Sequence, residues 1–143
     1  MQLTEKDREL LALLGENART PVASLAKRLS LSRTTVQARL DRLEREGVIT
    51  GYGVRLSDEF LSSLVRAHIL ITIAPKALAQ VTSSLAKMKA VTALHSVSGS
   101  FDLIAIIVAP SISELDGLID DIGVIEGVER TLSSIILSTR IAR

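Results

Sequence analysis

The stretch Ser24–Glu46, SLAKRLSLSRTTVQARLDRLERE, constrains this chain more than any other. Two apolar stripes at helical spacing flank the short turn Ser30-Leu31. Val22, Leu25, Ala26 and Leu29 form the first, and Val36, Leu40 and Leu43 the second. Thr20 and Pro21 read as N-cap and first helical residue of the first helix, and Ser32 as N-cap of the second. Gly47 stands where a left-handed residue closes the second helix. Upstream, Thr4 with Asp7 resembles a capping box, with Asp in place of the usual Glu or Gln. Leu10, Leu11 and Leu14 then share one face of a helix that ends at Gly15–Asn17.

This packing leaves Arg33, Thr34, Gln37, Ala38 and Asp41 off the core. Three helices, the last long and carrying Arg33, Arg39, Arg42 and Arg45, follow the helix-turn-helix pattern, in which that last helix enters a DNA major groove. A plain three-helix bundle with a solvated charged face fits the same residues, so the pattern alone leaves two readings. Charge favours the first. Residues 1–56 hold ten Lys/Arg against seven Asp/Glu, a net of +3, and the remainder holds seven against nine, a net of −2. A basic N-terminal part on a mildly acidic C-terminal part suits a nucleic-acid module joined to a regulatory one.

Composition excludes several other classes. Aromatics are 2% of the chain, too few for a platform that stacks single-stranded bases. The absence of cysteine removes disulfides, thiolate nucleophiles and cysteine-ligated metals, and fits a reducing compartment. The charged start MQLTEKDREL is no signal peptide, and the longest apolar run, Leu103–Pro110, is far too short to span a membrane. A cytoplasmic protein is expected. No glycine-rich phosphate loop is present. His68 and His95 sit among apolar neighbours without the further ligands a metal site needs. His95, Ser98 and Asp102 lack the oxyanion signature of a nucleophilic triad. No enzyme activity, metal or cofactor is expected.

From Leu64 the apolar period changes to that of strands. Val65–Ala74, Val91–Ser98, Asp102–Ala109 and Val128–Ser138 read as strands. Pro75-Lys76 opens a helix to about Met88, and Ser113 caps another to about Ile122, with Asp116 at the capping-box position. Val48–Leu56 reads as a short strand or extended linker, Ser57–Ser63 as polar and irregular. The order β-α-β-β-α-β is the ferredoxin-like arrangement, an antiparallel sheet with two helices on one face. In Asp102–Ala109, Leu103, Ala105, Ile107 and Ala109 alternate with Ile104, Ile106 and Val108, so both faces are apolar. Two helices cover only one, and a homodimer pairing sheet on sheet is the natural cover for the other.

The whole chain resembles the Lrp/AsnC ("feast/famine") transcription regulators. The resemblance rests on LTEKDRELLALLGENARTPVASLAKRLSLSRTTVQARLDRLEREGVITGY, SVSGSFDLIAIIV and GVERTLSSIIL, which follow in the family's order. It implies an α+β protein: an N-terminal helix-turn-helix (winged-helix-like) domain at 1–48, a linker strand and hinge at 49–62, and a C-terminal ferredoxin-like βαββαβ effector (RAM) domain at 63–143. It further implies dimers paired through their sheets, assembling into tetramers or octamers, and an amino-acid effector bound near the contact between dimers. By the same resemblance Ser32, Arg33, Thr34, Thr35 and Gln37 face bases or phosphates of double-stranded DNA at a palindromic operator. Arg39 and Arg42 position phosphates. Gly99, Ser100, Phe101 and Asp102 match the family's Gly-x-Tyr/Phe-Asp loop, where Asp102 would accept from an effector's ammonium and backbone N–H groups would meet its carboxylate. Ser133 and Ser134 line the same region. The bland alternative is that Gly99 turns a hairpin and Asp102 caps it. Two rival functions are an architectural DNA-wrapping protein with little sequence preference and a sirohaem-decarboxylase-like enzyme.

Overall fold

The computed structural model describes residues 2–143, and the chain divides into two compact units, Met1–Arg55 and Leu56–Arg143. The first holds α1 (Glu5–Glu16), α2 (Val22–Leu29) and α3 (Arg33–Arg45). Its core is the set of stripes read from the sequence: Leu10, Leu25, Ala26, Leu29, Val36, Leu40 and Leu43 are all buried. The capping box is present, with Thr4 accepting from Asp7 N–H and Asp7 from Thr4 N–H. Between α2 and α3 the turn is made by Ser30 in the left-handed region (φ 57). The Lys6 ammonium donates to the Leu29 carbonyl at 2.9 Å, where the C-terminal end of α2 favours a cation.

One boundary in this unit differs from the sequence reading, and one alternative is decided. Thr20 does not cap α2; its hydroxyl turns back to the Asn17 carbonyl at 2.7 Å, and Pro21 occupies the cap position. Residues 48–56, read as a short strand or extended linker, form no strand, so the linker form holds. Gly51 and Gly53 interrupt the segment, and glycine weakens strand pairing.

The second unit opens with a single helical turn, α4 (Asp58–Leu61), where irregular chain was expected; Ser57 caps it by accepting from Phe60 N–H. Next come β1 (Val65–Ile73), α5 (Leu78–Ala86), β2 (Val91–Ser96), β3 (Leu103–Ala109), α6 (Ile112–Gly123) and β4 (Val128–Ile136). The sheet order is β2-β3-β1-β4 with every pairing antiparallel, the ferredoxin-like topology. Both helix starts were misplaced by the sequence reading. Lys76 has φ 68, a left-handed residue no helix can include, so α5 begins three residues after Pro75. The cap of α6 is Ser111, which accepts from Glu114 N–H, rather than Ser113 with Asp116. The strands β2 and β4 also end earlier than read, at Ser96 and Ile136.

Ala67, Ile69 and Ile71 of β1 and Leu103, Ala105, Ile107 and Ala109 of β3 are buried under α5 and α6. The register pairs Leu70 with Ile104 and with Leu132, and His68 with Ile106 and with Ser134, on the opposite face. There Ile104, Ile106 and Val108 are only half-buried and Leu132 is 53% exposed. The sheet therefore keeps an apolar face that no element of its own unit covers. Among the described residues, no helix is long and apolar enough to cross a membrane.

Candidate DNA-binding surface and effector loop

The helix α3 presents its outer face because Val36, Leu40 and Leu43 take the inner one. Arg33, Thr34, Gln37, Ala38 and Asp41 are all exposed, as the apolar period required. Ser32 accepts from Thr35 N–H at 3.1 Å, and the two hydroxyls lie 2.8 Å apart, so this pair is engaged in starting the helix. Gln37 donates to Asp41 at 2.8 Å, one turn on. The Arg33 guanidinium has no hydrogen-bond or ion-pair partner among the described residues. A shallow groove along this face is lined by Val22, Arg33, Thr34, Gln37, Ala38 and Asp41.

Arg39 and Arg42 are held differently. Asp7, the third residue of α1, is fully buried, the single buried charged residue among those described. Its Oδ1 accepts from Arg39 at 2.9 Å, and its Oδ2 from Arg42 at 2.6 Å and from Thr4 N–H at 2.9 Å. Arg39 also donates to the Thr4 hydroxyl at 3.0 Å. Burial by itself pushes the Asp7 carboxyl up. The Thr4 backbone N–H, the Arg39 guanidinium, the Thr4 hydroxyl and Arg42 together outweigh burial and hold the carboxyl well below the usual carboxylate range. One carboxylate thus closes the first turn of α1 and pins two arginines of α3. The sequence held a signal for this: Asp7 falls on the same helical face as Leu10, Leu11 and Leu14, and a carboxylate on an apolar stripe requires a cation partner.

In the second unit the loop between β2 and β3 turns at Gly99 (φ 106), a conformation that favours glycine. Val97 N–H donates to the Asp102 carbonyl at 3.0 Å, and Asp102 N–H to the Ile71 carbonyl at 2.9 Å. The register of β1 with β4 shifts between Thr72 and Ile73, and at that irregularity Ile73 N–H donates to Asp102 Oδ2 at 2.9 Å. The Arg130 guanidinium, opposite Thr72 on β4, lies 5.0 Å from the centre of the Phe101 ring, a cation–π contact. The Thr72 hydroxyl is buried without a partner.

The fold therefore gathers Phe101 and Asp102 with Thr72, Ile73 and Arg130. Arg130 and Thr72 were not singled out in the sequence, since only the β1–β4 register brings them to the loop. Ser133 and Ser134 stand opposite Ile69 and His68, further along β4. Being consecutive on a strand they point to opposite faces, so the two cannot serve one site together.

A three-helix unit with an exposed basic recognition helix, in one chain with a ferredoxin-like unit, defines the class of two-domain helix-turn-helix regulators. Residues 3–50 match the family model for winged helix-turn-helix DNA-binding domains, and residues 66–143 match that for the Lrp/AsnC ligand-binding domain. The chain is 30% identical to the HTH-type transcriptional regulator LysM of Saccharolobus solfataricus over 138 residues, 96% of this chain and 95% of that one. Among solved structures it is similar to E. coli AsnC (TM-score 0.88, 28% identity, covering 100% of this chain and 97% of that one). A transcriptional regulator of Neisseria meningitidis, solved as its L-Met complex, is similar too (TM-score 0.88, 25% identity, covering 99% and 94%). The chain belongs to the Lrp/AsnC family: it is a DNA-binding transcriptional regulator.

Proposed function

We propose that this regulator reads a roughly palindromic operator in double-stranded DNA, working in the cytoplasm as a homodimer or a tetramer or octamer built from it. In this reading Ser32, Arg33, Thr34, Thr35 and Gln37 face the groove and its edges, while Arg39 and Arg42 meet phosphates. A small amino-acid-like effector binds beside Gly99, Ser100, Phe101 and Asp102, with Ser134, which shares Arg130's face of β4, rather than Ser133, which points to the other face. The observation that carries it is the partner-free Arg33 on the exposed face of α3, since a free guanidinium is suited to bidentate contact with guanine. The half-buried Ile104, Ile106 and Val108 with the exposed Leu132 support pairing of two sheets. For the effector, Asp102 Oδ2 is engaged by Ile73 N–H, which leaves Oδ1 for an ammonium, and Arg130, over the Phe101 ring beside it in sequence, is the cation offered to a carboxylate.

The test is operator selection followed by competition at fixed salt. A selected site should outcompete random duplex by about 10³ or more, and Arg33→Ala should relax that ratio by about tenfold or more at one base pair of each half-site. Equal competition by random DNA refutes sequence reading. Adding each amino acid during a thermal melt tests the effector: saturation at 100 times the dissociation constant should add about 2.7 kcal/mol.

A further inference from the structure

We propose that Asp7 is a positioning residue of the DNA-binding surface: it sets Arg39 and Arg42 side by side as one preorganised pair aimed at the DNA backbone. The inference rests on the reading that these two arginines meet phosphates. Two guanidiniums one helical turn apart on α3 repel each other, and long cationic side chains on a surface are otherwise free to swing. The carboxylate of Asp7 lies between them, one oxygen for each, at 2.9 Å and 2.6 Å. It is itself immobile, being fully buried and tied to Thr4 N–H within the first turn of α1.

The anchoring spends only part of each guanidinium. Arg39 uses one terminal nitrogen, on Asp7 and on the Thr4 hydroxyl, and Arg42 uses one, on Asp7. A guanidinium has five N–H donors, so each arginine keeps a second terminal nitrogen. Their side chains remain 25% and 33% exposed, and a shallow groove is lined by both together with Thr4, Thr34, Thr35 and Ala38. Two cations around one anion leave the cluster at +1. Asp7 therefore lowers the local charge, which weakens attraction to phosphate, yet it removes the cost of ordering two long side chains when DNA arrives.

Those two effects have opposite signs, and Asp7→Asn separates them. Asparagine keeps the shape and can still accept from Thr4 N–H, but the charge goes. If Asp7 were only structural, the variant would gain one net positive charge and bind random-sequence duplex as tightly as the parent or more tightly. Positioning predicts about tenfold weaker binding at fixed salt, with the slope of log affinity against log salt flatter by about one unit, at a temperature where melting shows both proteins folded. Arg42→Gln is measured beside it, since it loses the charge while keeping a donor for Asp7. If Arg42→Gln leaves the salt slope unchanged, the phosphate reading fails and the positioning role with it. If Arg42→Gln flattens the slope while Asp7→Asn binds as tightly as the parent or more so, the phosphate reading stands and the positioning role is overturned. Should Asp7→Asn not fold, Asp7→Glu decides: it keeps the charge and a capping-box residue but moves the carboxylate by one methylene, and should weaken duplex binding about threefold, and unchanged binding overturns the proposal.

Discussion

Removing both arginines from the Asp7 cluster should cost far more stability than removing Asp7. In the double variant Arg39→Met/Arg42→Met, a fully buried carboxylate keeps Thr4 N–H and loses both cations. Stripping the partner from a buried charge costs about 3–5 kcal/mol. The arginine side chains are 25% and 33% exposed, so water gains some access once they are gone, and about 3 kcal/mol is the better figure. For a unit this small that is a fall in melting temperature of roughly 12 °C or more, at 4 °C or more per kcal/mol. In Asp7→Asn the guanidiniums instead turn to solvent, and the loss should be about 1–2 kcal/mol, the worth of charge-assisted bonds discounted for exposure. Adding Asp7→Asn to the double variant should then recover about 2 kcal/mol, because no buried charge remains to be satisfied. The pH dependence follows from the depressed carboxyl of the parent. Its stabilising effect is present above the unfolded value of about 4 and is lost as pH falls below it, whereas the stripped carboxyl of the double variant is raised and gains from protonation. The gap between parent and double variant should therefore narrow from neutral pH to about pH 3. Urea unfolding followed by the emission of Tyr52, the chain's one tyrosine, reports on the N-terminal unit. A double variant within about 1 kcal/mol of the parent at neutral pH, or no recovery in the triple variant, refutes the account.

Two further outcomes follow from single residues. Gly127→Ala should destabilise the C-terminal unit by about 2–5 kcal/mol: φ is +100, and the new Cβ would lie 2.7 Å from Ala77 Cβ and 3.0 Å from Val81 Cγ2. Gly99→Ala, at φ +106 with nothing within 4 Å, should cost only the backbone strain of about 1–3 kcal/mol, so melting the pair isolates the packing contribution. Tyr52 donates to Glu44 at 2.7 Å, and that bond, with some burial and the carboxylate's charge, pushes its hydroxyl up to about 12. Because the folded value is raised, this bond stabilises below about pH 10 and fades as pH climbs towards 12; phenolate absorbance should show Glu44→Gln titrating closer to 10.

Most of the architecture was legible because it is periodic. The stripes of α1, α2 and α3 and the alternation of β1 and β3 are local patterns, and the residues they named are buried or, as with Leu11, Leu14 and Val22, partly buried against the core. The misplaced boundaries are places where two local rules competed. Ser111 and Ser113 each stand three residues before an acid, and Ser111 takes the cap because β3 has just ended at Ala109. Thr20 has a carbonyl within reach behind it at Asn17, so its hydroxyl is spent before the helix begins. Pro75 matches the preference for proline at a helix start, but Lys76 in the left-handed region delays the helix to Leu78, and Gly127 packs directly against Ala77 at that point.

What stayed hidden at the candidate sites is non-local. Asp7 was read with a local task, capping a helix, and Asp102 as an acceptor for an effector's ammonium, with closing a hairpin as the alternative. Each does satisfy an orphaned backbone N–H, that of Thr4 at a helix start and that of Ile73 at a break in the strand ladder. A carboxylate has more lone pairs than one N–H can occupy, and in each case the fold brings cationic side chains to that neighbourhood: Arg39 and Arg42 bind Asp7, while Arg130 lies over the ring of Phe101, next to Asp102. The difference lies in what is left over. Asp7 is buried and its oxygens are both taken, so it can fix other residues but receive no ligand. Asp102 has an oxygen to spare on an exposed loop, so an incoming ammonium could bind there without breaking the bond to Ile73. On the proposed function, the same side chain, capping in both places, serves by burial to hold the DNA-facing surface in one unit and by exposure to meet a small molecule in the other.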